Sequence, residues 1–219
     1  MINAVIFDMD GVITDTEKFY NQSWTEAMHE CGHPEFTNTD ALLFRSCNHV
    51  DGKILLEKLF GCGDDYDRIH QCSNRIVEEI MAKEGIPLKP GIEEILKYLK
   101  EHHIKSVVAT ATKYKRASAR LKQVGLYDSF DTIISASMVP KGKPHPDVYL
   151  YACEGIGEQP ADCIAVEDSP NGIKSAYAAG CKTVMVPDLS QPDEELQKLL
   201  YAKADSLVDL ISIIENQPV

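Results

Sequence analysis

Residues 4–16 read AVIFDMDGVITDT: four compact apolar side chains, then an acid, a methionine, a second acid and a glycine. An apolar run of this length predicts a strand over 4–7. If the chain stays extended beyond it, the two-residue period of a strand puts the carboxylates of Asp8 and Asp10 on one side. Similar short runs recur at 106–109, 132–134, 163–166 and 183–186, with helical patterns between them. Over 91–101 the apolar residues Ile92, Ile95, Leu96 and Leu99 share a helix face, and 115–124 is a basic amphipathic segment stopped by Gly125. Two more helices are predicted at 147–153 and 170–179, the second opened by Ser169 as N-cap and Pro170 at the first helical position. Strands alternating with helices predict an α/β fold, a Rossmann-like parallel sheet with right-handed crossovers and helices on both faces.

One connection is far longer than a crossover needs, because nothing strand-like follows Asp8 until the run at 106–109. Helical periods fill it, at 19–31, 50–60 and 69–81, so a small helical bundle is expected at 16–85, inserted into an α/β core made of 1–15 and 86–219. Gly11 and the 86–91 stretch, with Pro87 and Pro90, are the expected hinges.

With 219 residues, 44% hydrophobic and 26% charged, the chain has material for a sizeable core. A net charge of -12 with no block of Lys and Arg argues against a nucleic-acid partner. No apolar run approaches membrane-spanning length, and 1–10 does not resemble a leader, so a cytoplasmic protein with no evident protein partner is expected. The seven cysteines are scattered without a CxxC pair and are expected to be reduced packing residues. His29 and His33 have the spacing of a helical metal pair, but Gly32 and Pro34 predict a helix end there, which favours solvated histidines.

In open parallel sheets ligands bind beyond the carboxyl ends of the strands. Those ends carry Asp8 and Asp10, then Thr110, Ala111, Thr112 and Lys113, then Lys143 between Gly142 and Pro144, then Glu167 and Asp168. Four acids in one crevice would repel one another unless a cation joined them. Oxygen-only ligands point to magnesium, which also neutralises a phosphate dianion. Lys143 supplies a second positive charge, Thr110 a hydroxyl, and the N–H groups of Ala111 and Thr112 an anion site at the start of the following helix. A carboxylate held beside magnesium and Lys143 can attack phosphorus in line, which assigns Asp8 as nucleophile. Asp10, two residues on, can protonate the leaving oxygen and later activate water. Each element also has a plainer reading: an acidic turn, a helix cap, a solvated loop lysine, a strand end before an N-cap. Those readings leave unexplained why the elements arrive in order at successive strand ends.

Taken together, DMDGVITDT (8–16), VVATATK (107–113), KGKPHPDVY (141–149) and AVEDSPNG (165–172) resemble the four ordered motifs of the haloacid dehalogenase-like hydrolase superfamily. The helical insert after the first motif is similar to the small cap of the beta-phosphoglucomutase-like phosphatases. The resemblance implies Asp8 as nucleophile, Asp10 as acid and base, and Thr110 and Lys143 as phosphate binders. It further implies Asp168, the Asp10 carbonyl, Asp8 and Glu167, directly or through water, around Mg2+, with Asn171 and Lys113 ordering the pocket.

Asp10, Glu167 and Asp168 argue against dehalogenase members; Asp10 argues against phosphonate-cleaving members, for which Lys53 in the insert is the one feature in favour; and a silent binding or regulatory protein would be expected to lack a motif residue. A phosphatase acting on a small phosphorylated metabolite, a sugar or polyol phosphate, is the expectation, with a phosphomutase as the alternative. Specificity is expected from Tyr20, Trp24, Arg45 and His49 in the cap, Trp24 having the spacing of a core residue as well. In the mutase pattern a histidine and an arginine stand where this chain has Tyr20 and His49. Neutral His49 offers no bidentate fork for a phosphate, and Arg45, a turn away, is the residue able to compensate.

Overall fold

A computed structural model of the chain describes residues 1–45 and 47–216. Six parallel strands, β1 (Ala4–Phe7), β2 (Lys105–Thr110), β3 (Thr132–Ser135), β4 (Cys163–Glu167), β5 (Lys182–Met185) and β6 (Ala202–Lys203), form a sheet in the order β3-β2-β1-β4-β5-β6. The two-residue strand β6 has no apolar run to announce it and was not expected from the sequence.

β1 lies between β2 and β4, with Phe7 level with Val108 on one side and Val166 on the other. Its side chains alternate between two cores, as a strand period requires. Val5 and Phe7 join Val108, Ile164 and Val166 on one face; Ala4 and Ile6 join Val107, Ala109, Cys163 and Ala165 on the other. These burials explain why the motif begins with four apolar residues, and they fix the strand from which Asp8 projects.

The helices in chain order are α1 (Glu17–Glu30), α2 (Asn38–Ala41), α3 (His49–Phe60), α4 (Tyr66–Glu84), α5 (Ile92–Glu101), α6 (Tyr114–Gln123), α7 (Asp147–Ile156), α8 (Pro170–Ala178), α9 (Glu194–Gln197) and α10 (Asp209–Glu215). Helices α5, α6 and α10 cover one face through Ile92, Ile95, Leu99, Leu121, Leu210 and Ile214. Helices α7 and α8 cover the other through Val148, Tyr149, Ala152 and Ala176. The fold is therefore the expected α/β class.

The insert between β1 and α5 is helical, with its own core of Trp24, Met28, Phe36, Phe44, Leu56, Tyr66, Ile69 and Ile76. Each start of its shorter helices has a local cause. Thr37 and Asp40 form a reciprocal capping box at α2, and the Asn48 side chain accepts the Asp51 N–H at α3. His29 lies 2.8 Å from the Phe36 carbonyl oxygen and His33 lies 3.3 Å from Glu35, so the two serve separate local contacts. All seven cysteines are free. No described helix is long and apolar enough to cross a membrane.

Candidate active site

The end of β1 continues one residue further, the Asp8 N–H donating to the Val166 carbonyl at 2.9 Å. The chain then turns on Gly11, whose φ of +90° is a conformation that favours glycine. A side chain there would also collide with Asp168, since its Cβ would lie 2.2 Å from Oδ2. The first motif thus leaves the sheet by a turn that crosses directly over the end of β4.

Lys143 is fully buried among acids. Its Nζ donates to Asp8 Oδ1 at 2.5 Å, to Glu167 Oε1 at 2.6 Å and to the Ala109 carbonyl at 3.0 Å. Tyr149 donates from its hydroxyl to the same Glu167 oxygen at 2.5 Å, with its ring 5.3 Å from the ammonium. The two carboxylates hold the ammonium charged despite its burial. Burial in turn pushes the Asp8 carboxyl well above the usual carboxylate range, against the pull of Lys143 and with the help of Glu167 and Asp168. Burial likewise raises Asp168, and Glu17 adds to it. The cluster is short of positive charge.

Oxygens of Asp8, Glu167 and Asp168 lie within 4.8 Å of one another, the one such group among the described residues. The donors are all carboxylate oxygens, buried and facing one space, as a hard divalent cation requires. The backbone keeps that space clear. A Cβ at Gly172 would stand 2.0 Å from the Glu167 carboxylate, and one at Gly11 would strike Asp168. The donor set therefore fits magnesium; the Asp10 carboxylate is outside the group.

Asp10 is instead held by hydroxyls. Thr16 donates to Oδ1 and Thr112 to Oδ2, each at 2.8 Å. Arg120, buried in α6, lies 3.4 Å from the same Oδ1 and donates to the Tyr20 hydroxyl at 2.5 Å and to Glu78 at 2.7 Å. Burial pushes the Tyr20 phenol up to about 12, with Asp10 adding to the shift. Thr16, Arg120, Glu17 and Tyr149 were not singled out from the sequence as site residues, and Thr112 was expected to contribute its N–H, whereas its hydroxyl reaches Asp10. They reach the site through tertiary contacts, and the positions of Thr16, Thr112 and Tyr149 inside the motifs were the hint of a role.

Thr110 is buried and its Oγ1 accepts the Thr112 N–H at 3.0 Å. This corrects the Thr112 part of the expected anion site: α6 begins only at Tyr114, and the Thr112 N–H is already engaged. Ala111 and the exposed Lys113 line the crevice beside Thr110. Asn171 turns away from it to the insert, donating to the Arg45 carbonyl at 3.1 Å.

The crevice above Asp8 and Asp10 has a volume of about 490 Å³ and is walled on the far side by Trp24, Phe44, Tyr66, His70 and Asn74. Trp24 serves as insert core as well as wall, its ring stacked 5.2 Å from Phe44. His49 is exposed at the rim, 2.7 Å from Asp67. Arg45 is buried and pairs with Glu17 at 2.7 Å and with Asp168.

Residues 5–186 match the family described as haloacid dehalogenase-like hydrolase. YhcW of Bacillus subtilis, a provisionally named phosphatase, is 34% identical over 188 residues, covering 86% of this chain and 84% of its own. A phosphorylated carbohydrates phosphatase of Thermotoga maritima is 29% identical over 187 residues, 84% of each chain. Among solved structures, a beta-phosphoglucomutase from Clostridium difficile is similar with a TM-score of 0.82 and 26% identity, covering 98% of this chain and 96% of that one.

Proposed function

The chain belongs to the haloacid dehalogenase-like hydrolase family, and from that premise we propose that it is a magnesium-dependent phosphatase of a small sugar or polyol phosphate, working through a phosphorylated Asp8. The observation that carries this reading is the fixed pair of carboxylates in one crevice: Asp8 set against Lys143, and Asp10 held by Thr16 and Thr112. The names of the similar phosphatases support the reaction and the substrate class.

Asp8, Asp168 and the Asp10 carbonyl would hold magnesium, with Glu167 beside them. When bound, the ion supplies the positive charge that lets a phosphate dianion approach a carboxylate. Lys143 and Thr110 bind and orient the phosphoryl oxygens, and Asp8 attacks phosphorus in line. Asp10 gives its proton to the leaving alkoxide, then takes one from the water that hydrolyses the acyl phosphate. The helical unit 16–85 acts as a cap that excludes stray water from the core formed by 1–15 and 86–219. Free cysteines suit a cytoplasmic setting.

The likeness to a beta-phosphoglucomutase favours a second reading, a phosphomutase. A mutase must hold a sugar bisphosphate by a cationic cap group, and here the candidates are occupied. His49 lies against Asp67, Tyr20 is the partner of Arg120, and Arg45 is paired with Glu17. The deciding experiment supplies beta-glucose 1-phosphate with magnesium and a catalytic amount of the 1,6-bisphosphate, within a wider screen of sugar and polyol phosphates. A phosphatase releases phosphate with little glucose 6-phosphate; isomerisation many times faster than phosphate release would establish the mutase instead.

A further inference from the structure

Arg45 enters the acid cluster from the insert, and its donors find partners on two sides. Nε donates to Glu17 Oε2 at 2.7 Å, within the insert. On the sheet side Nη1 donates to Ser190 Oγ at 2.9 Å and Nη2 to Asp168 Oδ2. The side chain is buried, and its carbonyl receives the Asn171 amide, so this segment is the point where the insert grips the carboxyl end of β4.

Asp168 is therefore claimed twice. The oxygen held by Arg45 belongs to a carboxylate whose ligand atoms converge with those of Asp8 and Glu167 within 4.8 Å. A guanidinium and a hard divalent ion carry like charge, and in a buried site they repel when they share one acid. We propose that Arg45 is an exchangeable cation at Asp168, released when a divalent metal binds there, so that loading the metal loosens the grip of the insert on the sheet. The inference rests on the reading of Asp8, Glu167 and Asp168 as the metal site.

Glu17 makes the exchange feasible, because it keeps Arg45 paired after Asp168 lets go and no buried charge is left alone. Linkage makes it reciprocal: the free energy that the Arg45–Asp168 pair contributes to closing the insert is subtracted from metal affinity.

The test measures magnesium binding by calorimetry, without substrate, for the wild type, Arg45→Gln and Asp168→Asn, together with amide hydrogen exchange of α2 and α3 with and without the metal. Arg45→Gln is expected to bind magnesium about tenfold more tightly than the wild type, and Asp168→Asn far more weakly. In the wild type, magnesium is expected to hasten exchange in both helices. Equal affinity of Arg45→Gln and wild type, or wild-type exchange unmoved by magnesium, overturns the exchange and leaves the metal site standing. Unchanged binding by Asp168→Asn, or no saturable binding by the wild type, overturns the metal site and the proposal with it. Should Arg45→Gln fail to fold by circular dichroism, the wild-type exchange measurement decides alone.

Discussion

Asp8 and Asp10 are two residues apart on one strand end, yet their surroundings differ in kind. Asp8 is bonded by a buried ammonium at 2.5 Å, whereas Asp10 accepts from two threonine hydroxyls at 2.8 Å each, with the Arg120 guanidinium further off at 3.4 Å. The first setting suits a nucleophile and the second an acid that must give up and recover a proton. Asp10→Asn is expected to cost about 10²- to 10⁴-fold in turnover of an alkyl phosphate. The loss should shrink with p-nitrophenyl phosphate, whose leaving group needs no proton, and steady-state rates on the two substrates check this. An equal loss on both would remove Asp10 from the role of acid. Asp8, Lys143 and Asp168 were legible in the sequence because each follows a strand whose apolar run announces it. Glu17 and Arg120 were not, and Tyr149, though it closes the third motif, carried no sign of its bond to Glu167. Tyr149 bonds to Glu167 and Arg120 to Tyr20 and Glu78 across long stretches of chain, and nothing local marks such partners.

At the scale of elements, the approach of α8 to the end of β4 shapes the acid cluster. Ser169 caps the helix by accepting the Gly172 N–H at 3.1 Å, and Gly172 then passes so near β4 that a Cβ would lie 2.0 Å from the Glu167 carboxylate. Helix propensity alone would favour alanine there by about 1 kcal/mol, but the collision is expected to reverse the sign. Gly172→Ala should lose about 1–3 kcal/mol, the usual cost of overpacking. Gly155→Ala, in α7 with nothing within 4 Å of its added Cβ, should hold or gain stability. Urea melts of both variants make the comparison, and a gain of the same size in each would show that α8 does not crowd Glu167. The caps of α8 were readable as Ser-Pro before a helix. The helical segment expected at 115–124 is α6, but the anion site expected at its start from Thr112 is not there, since the helix begins at Tyr114 and the Thr112 N–H goes to the Thr110 hydroxyl.

For the whole molecule, the two chain connections to the insert run side by side. Asp15 N–H donates to Pro87 at 2.8 Å and Lys89 N–H to Ile13 at 3.0 Å, which ties the two connections together near Gly11. Motion of the insert about that pair would admit substrate and then cover Asp8. Solution scattering is expected to show a more compact particle with magnesium and a phosphate analogue than with magnesium alone, and an identical profile in both states would remove the gating role. What such closure would protect is a phosphorylated aspartate, and its existence is the central claim. The most direct measurement quenches the enzyme during turnover with magnesium and substrate, reduces the acyl phosphate with borohydride and locates the reduced residue by peptide mass spectrometry. Reduction confined to Asp8 and dependent on substrate is the predicted result; phosphate release with Asp8 left unreduced, or with the reduction on another residue, would contradict it.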